Sequence, residues 1–203
     1  MSLADTRVTP TLKAYAHSPS LFDPLLRSGK PKRTAPFDQE PGYHVPAGLW
    51  LYGNARLLGS NLAYLPQVFG EQDGDADELD EAERMTEQFV LDGKIIVSGI
   101  HNAAHQRVAV VPLRWGAPRI LVLSGGFYVH LGPELTDEPF RAARLWRYQF
   151  DSRTDLVISR RDPDKQPTYA LVNPTVDRMI ERIATSDWPG LRFVDKGELR
   201  VLV

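Results

Sequence analysis

The stretch that decides the fold runs from residue 94 to residue 126 and reads KIIVSGIHNAAHQRVAVVPLRWGAPRILVLSGG. Its two ends, KIIVSG and RILVLSGG, are short apolar runs that stop at glycine, as buried parallel strands often do. Between them, residues 101–111 have a helical pattern, with Asn102 as the N-cap and with Pro112 and Gly116 closing the helix. A strand, a helix and a second strand in this order predict a βαβ unit with parallel strands.

The same alternation of apolar runs and helical patterns extends to both sides of this unit. Further strands are predicted at 48–54, 62–70 and 155–159, and further helices at 77–91, at 141–150 and from Pro174 onward. We therefore predict an α/β fold in which a Rossmann-like, mostly parallel sheet is flanked by helices.

The predicted helix at 141–150 is both apolar and basic. Leu145 and Trp146 are expected to face the core, because they fall on the apolar side of the helical pattern. The arginines of the helix are expected to share one face. They are Arg141, Arg144 and Arg147.

The two ends of the chain differ from the predicted body. Residues 1–46 hold seven of the sixteen prolines and have little periodicity, which predicts an extended arm. Residues 191–203 have a Lys196-Gly197 turn between short alternating runs, which predicts a hairpin. The domain division is therefore an arm over 1–46 and a Rossmann-like domain over 47–203 that ends in a helix and a hairpin.

Composition excludes several functional classes. The chain has no cysteine, which rules out a disulfide scaffold, a thiolate metal site and cysteine catalysis. No apolar run approaches the roughly 20 residues that cross a bilayer, so we expect a cytoplasmic protein with no membrane partner. Ten acidic residues fall within 71–92, and the rest of the chain carries 23 basic and 16 acidic residues. That remainder is able to present a surface for nucleic acid or another anion.

Ligands of parallel α/β sheets bind beyond the carboxyl ends of the strands. Two predicted turns at this edge hold small and polar residues, at Ser98–Asn102 and at Ser124–Tyr128. In the first turn, Gly99 either gives a phosphate access to the helix start or only permits a tight bend. In the second turn, Gly125 and Gly126 either let a base approach the backbone or form a turn with no ligand.

Neither turn carries a complete catalytic constellation, and we expect no catalytic residue. Ser98 lacks a Gly-x-Ser-x-Gly elbow and a base oriented by a carboxylate. His101, His105 and His130 lie near the strand ends and together offer a metal site. Because there is no HExxH pattern, His105 is better interpreted as a packed, hydrogen-bonded turn residue. We therefore predict no metal and no cofactor.

The order of these motifs resembles the Rossmann domain of the DNA-processing protein A (DprA/Smf) family. The similar segments are LWLYGNARLL (49–58), GKIIVSGI (93–100), AAH (103–105) and RILVLSGG (119–126), within roughly residues 47–160. The resemblance implies ligand contacts at matching positions. These are Ser98, Gly99, His105, Gly125 and Gly126.

The resemblance also implies a cytoplasmic bacterial protein that binds single-stranded DNA, assists a recombinase and often forms a dimer. The chain departs from the family pattern at Gln72, which stands where the family has a phosphate-binding arginine. A proline-rich arm also replaces the N-terminal helical domain of the family. Arg160 and Arg161, which follow a predicted strand on the ligand-binding edge, are the better candidates for phosphate contacts.

Two functions are expected from these observations. The first is a DprA-like, non-catalytic nucleic-acid-binding accessory protein, a homodimer whose partners are single-stranded DNA and a recombinase. The second is the binding or processing of a small nucleotide-derived ligand at the same strand edge, and a role in protein contacts alone is a third interpretation. The expected binding residues are Ser98, Gly99, His101, Asn102, His105, Gly125, Gly126, Arg160 and Arg161.

Overall fold

The computed structural model of the chain describes residues 42–43, 48–70, 75–188, 191–194 and 198–201. The strands within these ranges are β1 (Gly42–Tyr43), β2 (Trp50–Gly53), β3 (Leu62–Ala63), β4 (Ile95–Ser98), β5 (Arg119–Leu123), β6 (Leu156–Ser159), β7 (Leu191–Val194) and β8 (Glu198–Val201). The α-helices are α1 (Ala76–Leu91), α2 (Ala103–Trp115), α3 (Phe127–Leu131), α4 (Arg141–Leu145) and α5 (Pro174–Ala184). The predicted arm over 1–46 lies outside the described residues except for β1.

Six strands form one sheet in the order β1-β2-β6-β5-β4-β3. Strands β3, β4, β5 and β6 are parallel, and β2 joins β6 in the antiparallel direction. Val97 lies opposite Ile120, which confirms the predicted parallel pairing of KIIVS with RILVL. The predicted C-terminal hairpin is also confirmed, since β7 pairs with β8 in the antiparallel direction. The α/β, mostly parallel architecture is therefore as predicted.

Helices cover both faces of the sheet. Successive strand residues point to opposite faces, so Ile120 and Val122 pack on α5 while Leu121 and Leu123 pack toward the side of α2 and α3. The apolar residues of α5 on this sheet are Val176, Met179, Ile180 and Ile183. The sheet is therefore buried on both faces, as expected for parallel strands.

Helix α2 begins as predicted and ends later than predicted. The side chain of Asn102 accepts a hydrogen bond from the backbone N–H of His105, which is the expected N-cap. Pro112 does not close the helix and lies inside it, and the left-handed Gly116 follows its last residue. One turn before Pro112, the guanidinium of Arg119 donates to the carbonyl of Ala109 over 2.8 Å. A buried cation thus satisfies a carbonyl close to the helix-breaking residue.

Two element predictions are wrong in extent. The run at 62–70 forms a strand over Leu62–Ala63 alone, and a 3-10 helix follows at Pro66–Val68, because proline cannot donate to the ladder of a sheet. Helix α4 stops at Leu145, and Arg147 has a positive φ of 62°.

The early end of α4 changes the surroundings of its predicted residues. Leu145 and Trp146 are 69 % and 68 % exposed, so their predicted inward orientation is wrong. Arg147 lies outside the helix, so the predicted common face of three arginines is also wrong. Arg144 instead donates to the backbone carbonyl of Glu138 over 3.0 Å. None of the described helices is long and apolar enough to cross a membrane.

Candidate functional site

The turn between β4 and α2 brings five of the predicted binding residues together at the carboxyl edge of the sheet. They are Ser98, Gly99, His101, Asn102 and His105. The start of α5 lies against the same turn, because the Asn102 amide donates to the carbonyl of Leu171 over 3.2 Å. Asn173 then caps α5 by accepting from the backbone N–H of Val176. Two helix starts therefore meet at this turn, and each has a positive partial charge.

His105 is buried and both of its ring nitrogens are engaged. The backbone N–H of Gly99 donates to Nδ1 over 3.3 Å, so Nδ1 is an acceptor. Nε2 therefore has the proton and donates to Asp177 Oδ1 over 3.1 Å. Burial lowers the pKa of His105, and the hydrogen bond to Asp177 offsets this lowering only in part. This geometry agrees with the interpretation of His105 as a packed, hydrogen-bonded turn residue.

His101 is the one ring of this cluster whose nitrogens lack a hydrogen-bond partner among the described residues. Its side chain is only 3 % exposed, and Nε2 lies 3.4 Å from Asp177 Oδ1. The rings of His101 and His105 have centroids 4.2 Å apart. Burial opposes ionisation of Asp177, but its interactions with the two histidines outweigh this and lower its pKa to about 2. An ionised carboxylate therefore faces the Nε2 atoms of two neighbouring histidine rings.

The cluster has the composition of a metal site but not the required protonation of one. The ligand atoms of His101, His105 and Asp177 all lie within 4.8 Å of one another. A histidine that binds a metal through Nε2 donates its Nδ1–H to an acceptor. Here the Gly99 N–H faces Nδ1 of His105, so Nε2 keeps its proton and has no lone pair for a metal. We therefore interpret the cluster as a hydrogen-bonded His105–Asp177 pair with the His101 ring in contact with it.

The sequence analysis did not predict Asp177 as a residue of this site. It did predict His130 near the other two histidines, but His130 is not part of the cluster. Asp177 lies 72 residues after His105, in the first turn of a different helix, and no spacing rule joins the two. The available signal was weak: an acidic residue in the first turn of a helix that Pro174 opens.

His130 instead makes folding depend on pH. Burial lowers its pKa to about 4, whereas the unfolded chain titrates near 6.5. The folded state therefore binds fewer protons than the unfolded state between these values, and stability falls as pH falls through this window. We expect His130→Phe to remove about 2 kcal/mol of the stability loss between about pH 7 and pH 5. Urea denaturation at both pH values checks this, and equal pH dependence in the variant and the wild type would contradict it.

Ser98 has a structural task in this turn. Its hydroxyl lies 3.0 Å from the carbonyl oxygen of Gly99 and 3.2 Å from that of His105. Because the hydroxyl has one proton, it donates to one of these carbonyls at a time. Ser98 thereby ties the end of β4 to the first turn of α2.

The loop between β6 and α5, residues 160–172, lies over the second predicted turn, and we call this loop the strap. The carbonyl of Lys165 accepts from the N–H of Gly126 over 2.7 Å, and the carbonyl of Pro163 accepts from the N–H of Tyr128 over 3.0 Å. A β-carbon on Gly125 would lie 2.8 Å from the Cα of Pro167. The two glycines therefore leave room for the strap, and their backbone faces this loop.

Arg160 and Arg161 begin the strap and are exposed. The Arg161 guanidinium donates to the Thr168 hydroxyl over 2.7 Å, which ties the start of the strap to a residue in its second half. Tyr169, the next residue, is 87 % exposed. The strap thus presents cationic and aromatic side chains at the carboxyl edge of the sheet.

The acidic helix α1 is partly neutralised by its neighbour α2. Glu83 pairs with Arg107, over 2.6 Å, and with Arg114. Arg107 also lies 3.7 Å from Asp80. Both arginines belong to α2. Gln72, the departure from the family pattern, lies outside the described residues.

No protein-family model, curated protein or solved structure matches this chain.

Proposed function

We propose that the protein is a non-catalytic accessory protein that binds single-stranded nucleic acid through the strap. The observation that carries the proposal is the exposure of Arg160, Arg161 and Lys165 together with Tyr169 on one loop. Basic side chains contact the phosphates of a single strand, and an exposed aromatic ring stacks on its unpaired bases.

Charges on and near the strap both favour the binding of nucleic acid and limit its strength. The strap contains Asp162 and Asp164 beside its three basic residues, so its net charge is small and we expect weak, salt-sensitive binding. The pairing of Glu83 with two arginines reduces the repulsion that α1 exerts on a phosphate backbone. The family resemblance supplies the remainder of the proposal, which is a homodimer that acts in the cytoplasm, in DNA processing beside a recombinase.

Fluorescence anisotropy with a labelled oligo-dT strand tests the proposal. We expect Arg160→Ala/Arg161→Ala to weaken binding about tenfold at low salt, because two phosphate contacts are lost. Each lost contact also reduces the log–log salt slope by about 0.7. We expect Tyr169→Ala to weaken binding with the salt slope unchanged, since stacking releases no counterion.

The matched control is Arg153→Ala, which removes an exposed arginine from the loop before β6, at the opposite end of this strand. This variant is expected to bind like the wild type. A double variant that binds like the wild type, or wild-type binding that persists at high salt, would place the nucleic-acid surface elsewhere. No binding at low salt would reject the proposed function.

A further inference from the structure

We propose that a groove beside α2 docks an acidic segment of a partner protein, which places one large apolar side chain in the groove and carboxylates on the arginines around it. The groove has a volume of about 290 Å³ and is lined by residues of α1, α2 and the region of α4, so we call it the α2–α4 groove. None of the described strap residues lines it. The proposal therefore concerns a second surface and goes beyond the nucleic-acid binding proposed above.

One side of α2 forms a wall of this groove. Arg107, Val110 and Arg114 line it, and their spacing of three and four residues places them on the same side of the helix. The other side of α2 is buried in the core, where Val108 and Val111 lie. Helix α2 therefore adds both apolar and cationic groups to the groove.

Trp146 lines the groove from the side of α4, and it is 68 % exposed. It lies in the turn that ends α4, where the N–H of Tyr148 donates to the carbonyl of Ala143 over 3.1 Å and Arg147 is left-handed. These backbone contacts fix the chain at Trp146 before a partner arrives. Tryptophan and arginine are the side chains that most often dominate the energy of protein–protein binding.

The charge around the groove selects an acidic partner. The side chains of Arg107 and Arg114 are 41 % and 38 % exposed. Within the described residues, their salt bridges are with Asp80 and Glu83 alone. Three more exposed arginines lie within two residues of the lining residues Ala142 and Trp146 in the sequence. They are Arg141, Arg144 and Arg147. Positive charge is therefore in excess at this groove, and it attracts a segment rich in carboxylates.

A second groove, on the other side of α1, has the opposite charge. Its lining includes Asp77, Glu78 and Glu81. An acidic segment is repelled there, so the charges of the two grooves direct such a segment to the α2–α4 groove.

Arginine binds phosphates as well as carboxylates, and two features favour the peptide over a nucleic acid. The α2–α4 groove is concave and also lined by Leu79 and Phe140, so an apolar side chain fills it, whereas a sugar–phosphate backbone leaves it empty. Glu83 already accepts from Arg107 over 2.6 Å and from Arg114, which places both guanidinium groups as carboxylate ligands. Each guanidinium has five N–H donors, so donors remain for the carboxylates of a partner.

Fluorescence anisotropy with the fluorescein-labelled peptide DDFDDLDD tests the proposal. We expect saturable binding at low salt, and binding about tenfold weaker or less to DDSDDSDD, which keeps the charge and loses the apolar side chains. Trp146→Ala should weaken binding of the first peptide about tenfold, because it removes the apolar wall. Arg107→Gln/Arg114→Gln should weaken it about tenfold as well, since two cations are lost and Glu83 then repels the peptide. Circular dichroism checks that each variant is folded.

Matched controls change the same residue types away from the groove. Trp115→Ala removes a tryptophan that is 51 % exposed and does not line the groove. Arg178→Gln/Arg182→Gln removes two arginines of α5, on the opposite face of the sheet. Both variants should bind the peptide like the wild type, and so should Arg160→Ala/Arg161→Ala of the strap.

Other occupants of the groove give different results. Equal affinity for the two peptides, no binding at low salt, or groove variants that bind like the wild type would overturn the proposal. Loss of oligo-dT binding together with peptide binding in Trp146→Ala would assign the groove to nucleic acid instead. A dimer in sedimentation velocity that Trp146→Ala dissociates would assign it to a second copy of the chain. We expect oligo-dT binding and the oligomeric state of Trp146→Ala to equal those of the wild type.

Discussion

Replacing Arg119 by methionine is expected to lower the free energy of unfolding by about 3–5 kcal/mol. Arg119 is fully buried, and its guanidinium contacts two carboxylates: Nε donates to Asp155 over 2.9 Å and Nη2 donates to Glu138. Burial raises the pKa of both carboxyl groups, in spite of the attraction of Arg119. Without the guanidinium, two buried acids lose their only described cationic partner within 4 Å. The carbonyl of Ala109 loses its donor as well.

Urea denaturation at neutral pH measures this loss. The matched control is Arg114→Met, whose arginine is 38 % exposed and pairs with Glu83. Partly exposed ion pairs contribute about 1 kcal/mol or less, so the control should remain close to the wild type. If Arg119→Met does not fold, Arg119→Lys keeps the charge without the planar fork and should show an intermediate loss. A loss below about 1 kcal/mol in both Arg119 variants would contradict the structural importance of this group.

Gly126→Ala is expected to cost about 1–3 kcal/mol and to detach the strap from the sheet. A β-carbon at this position would collide with the carbonyl oxygens of Pro163 and Asp162. Both oxygens belong to the backbone, so no change of side-chain rotamer relieves the collision. The strap has to move, and its hydrogen bond from Gly126 N–H to Lys165 is then lost.

Amide hydrogen exchange measured by NMR checks this result at the atoms concerned. In the variant, the amides of residue 126 and Tyr128 should exchange faster, while those of β5 remain protected. Ser124→Ala changes a residue two positions away and serves as the control, with unchanged exchange expected at Tyr128. Slow exchange at both amides in Gly126→Ala would show that the strap accommodates the extra methyl group.

The parallel strands and the helices that connect them were predictable, because buried strands and capped helices leave local patterns in the sequence. The apolar run at 119–123 became β5, and Asn102 became the N-cap of α2. Local patterns failed where tertiary context decided the outcome. Leu145 and Trp146 fit an inward helical face, but the chain leaves the helix at Arg147 and exposes both side chains.

The candidate site was predictable only in part, and the reason is physical. The turn at Ser98–Asn102 lies in one stretch of sequence, so its residues were found together. Asp177 reaches the same place through the fold, from the opposite face of the sheet. The strap holds its neighbours through backbone carbonyls, such as those of Lys165 and Leu171, and a carbonyl is the same in every residue type. No side-chain pattern could have revealed these contacts.

The position of β2 beside β6 has a consequence for the order in which the chain folds. Strands β3 to β6 are neighbours in space in the order in which they are synthesised, so each can add to the one before it. Strand β2 emerges before all four, yet Trp50 pairs with Ser159 at the far edge of the group. During translation β2 must wait for its β6 partner until β6 has left the ribosome, although β1 on its other edge is made before it. Strand β2, made early, is thus among the last strands to be placed in the sheet.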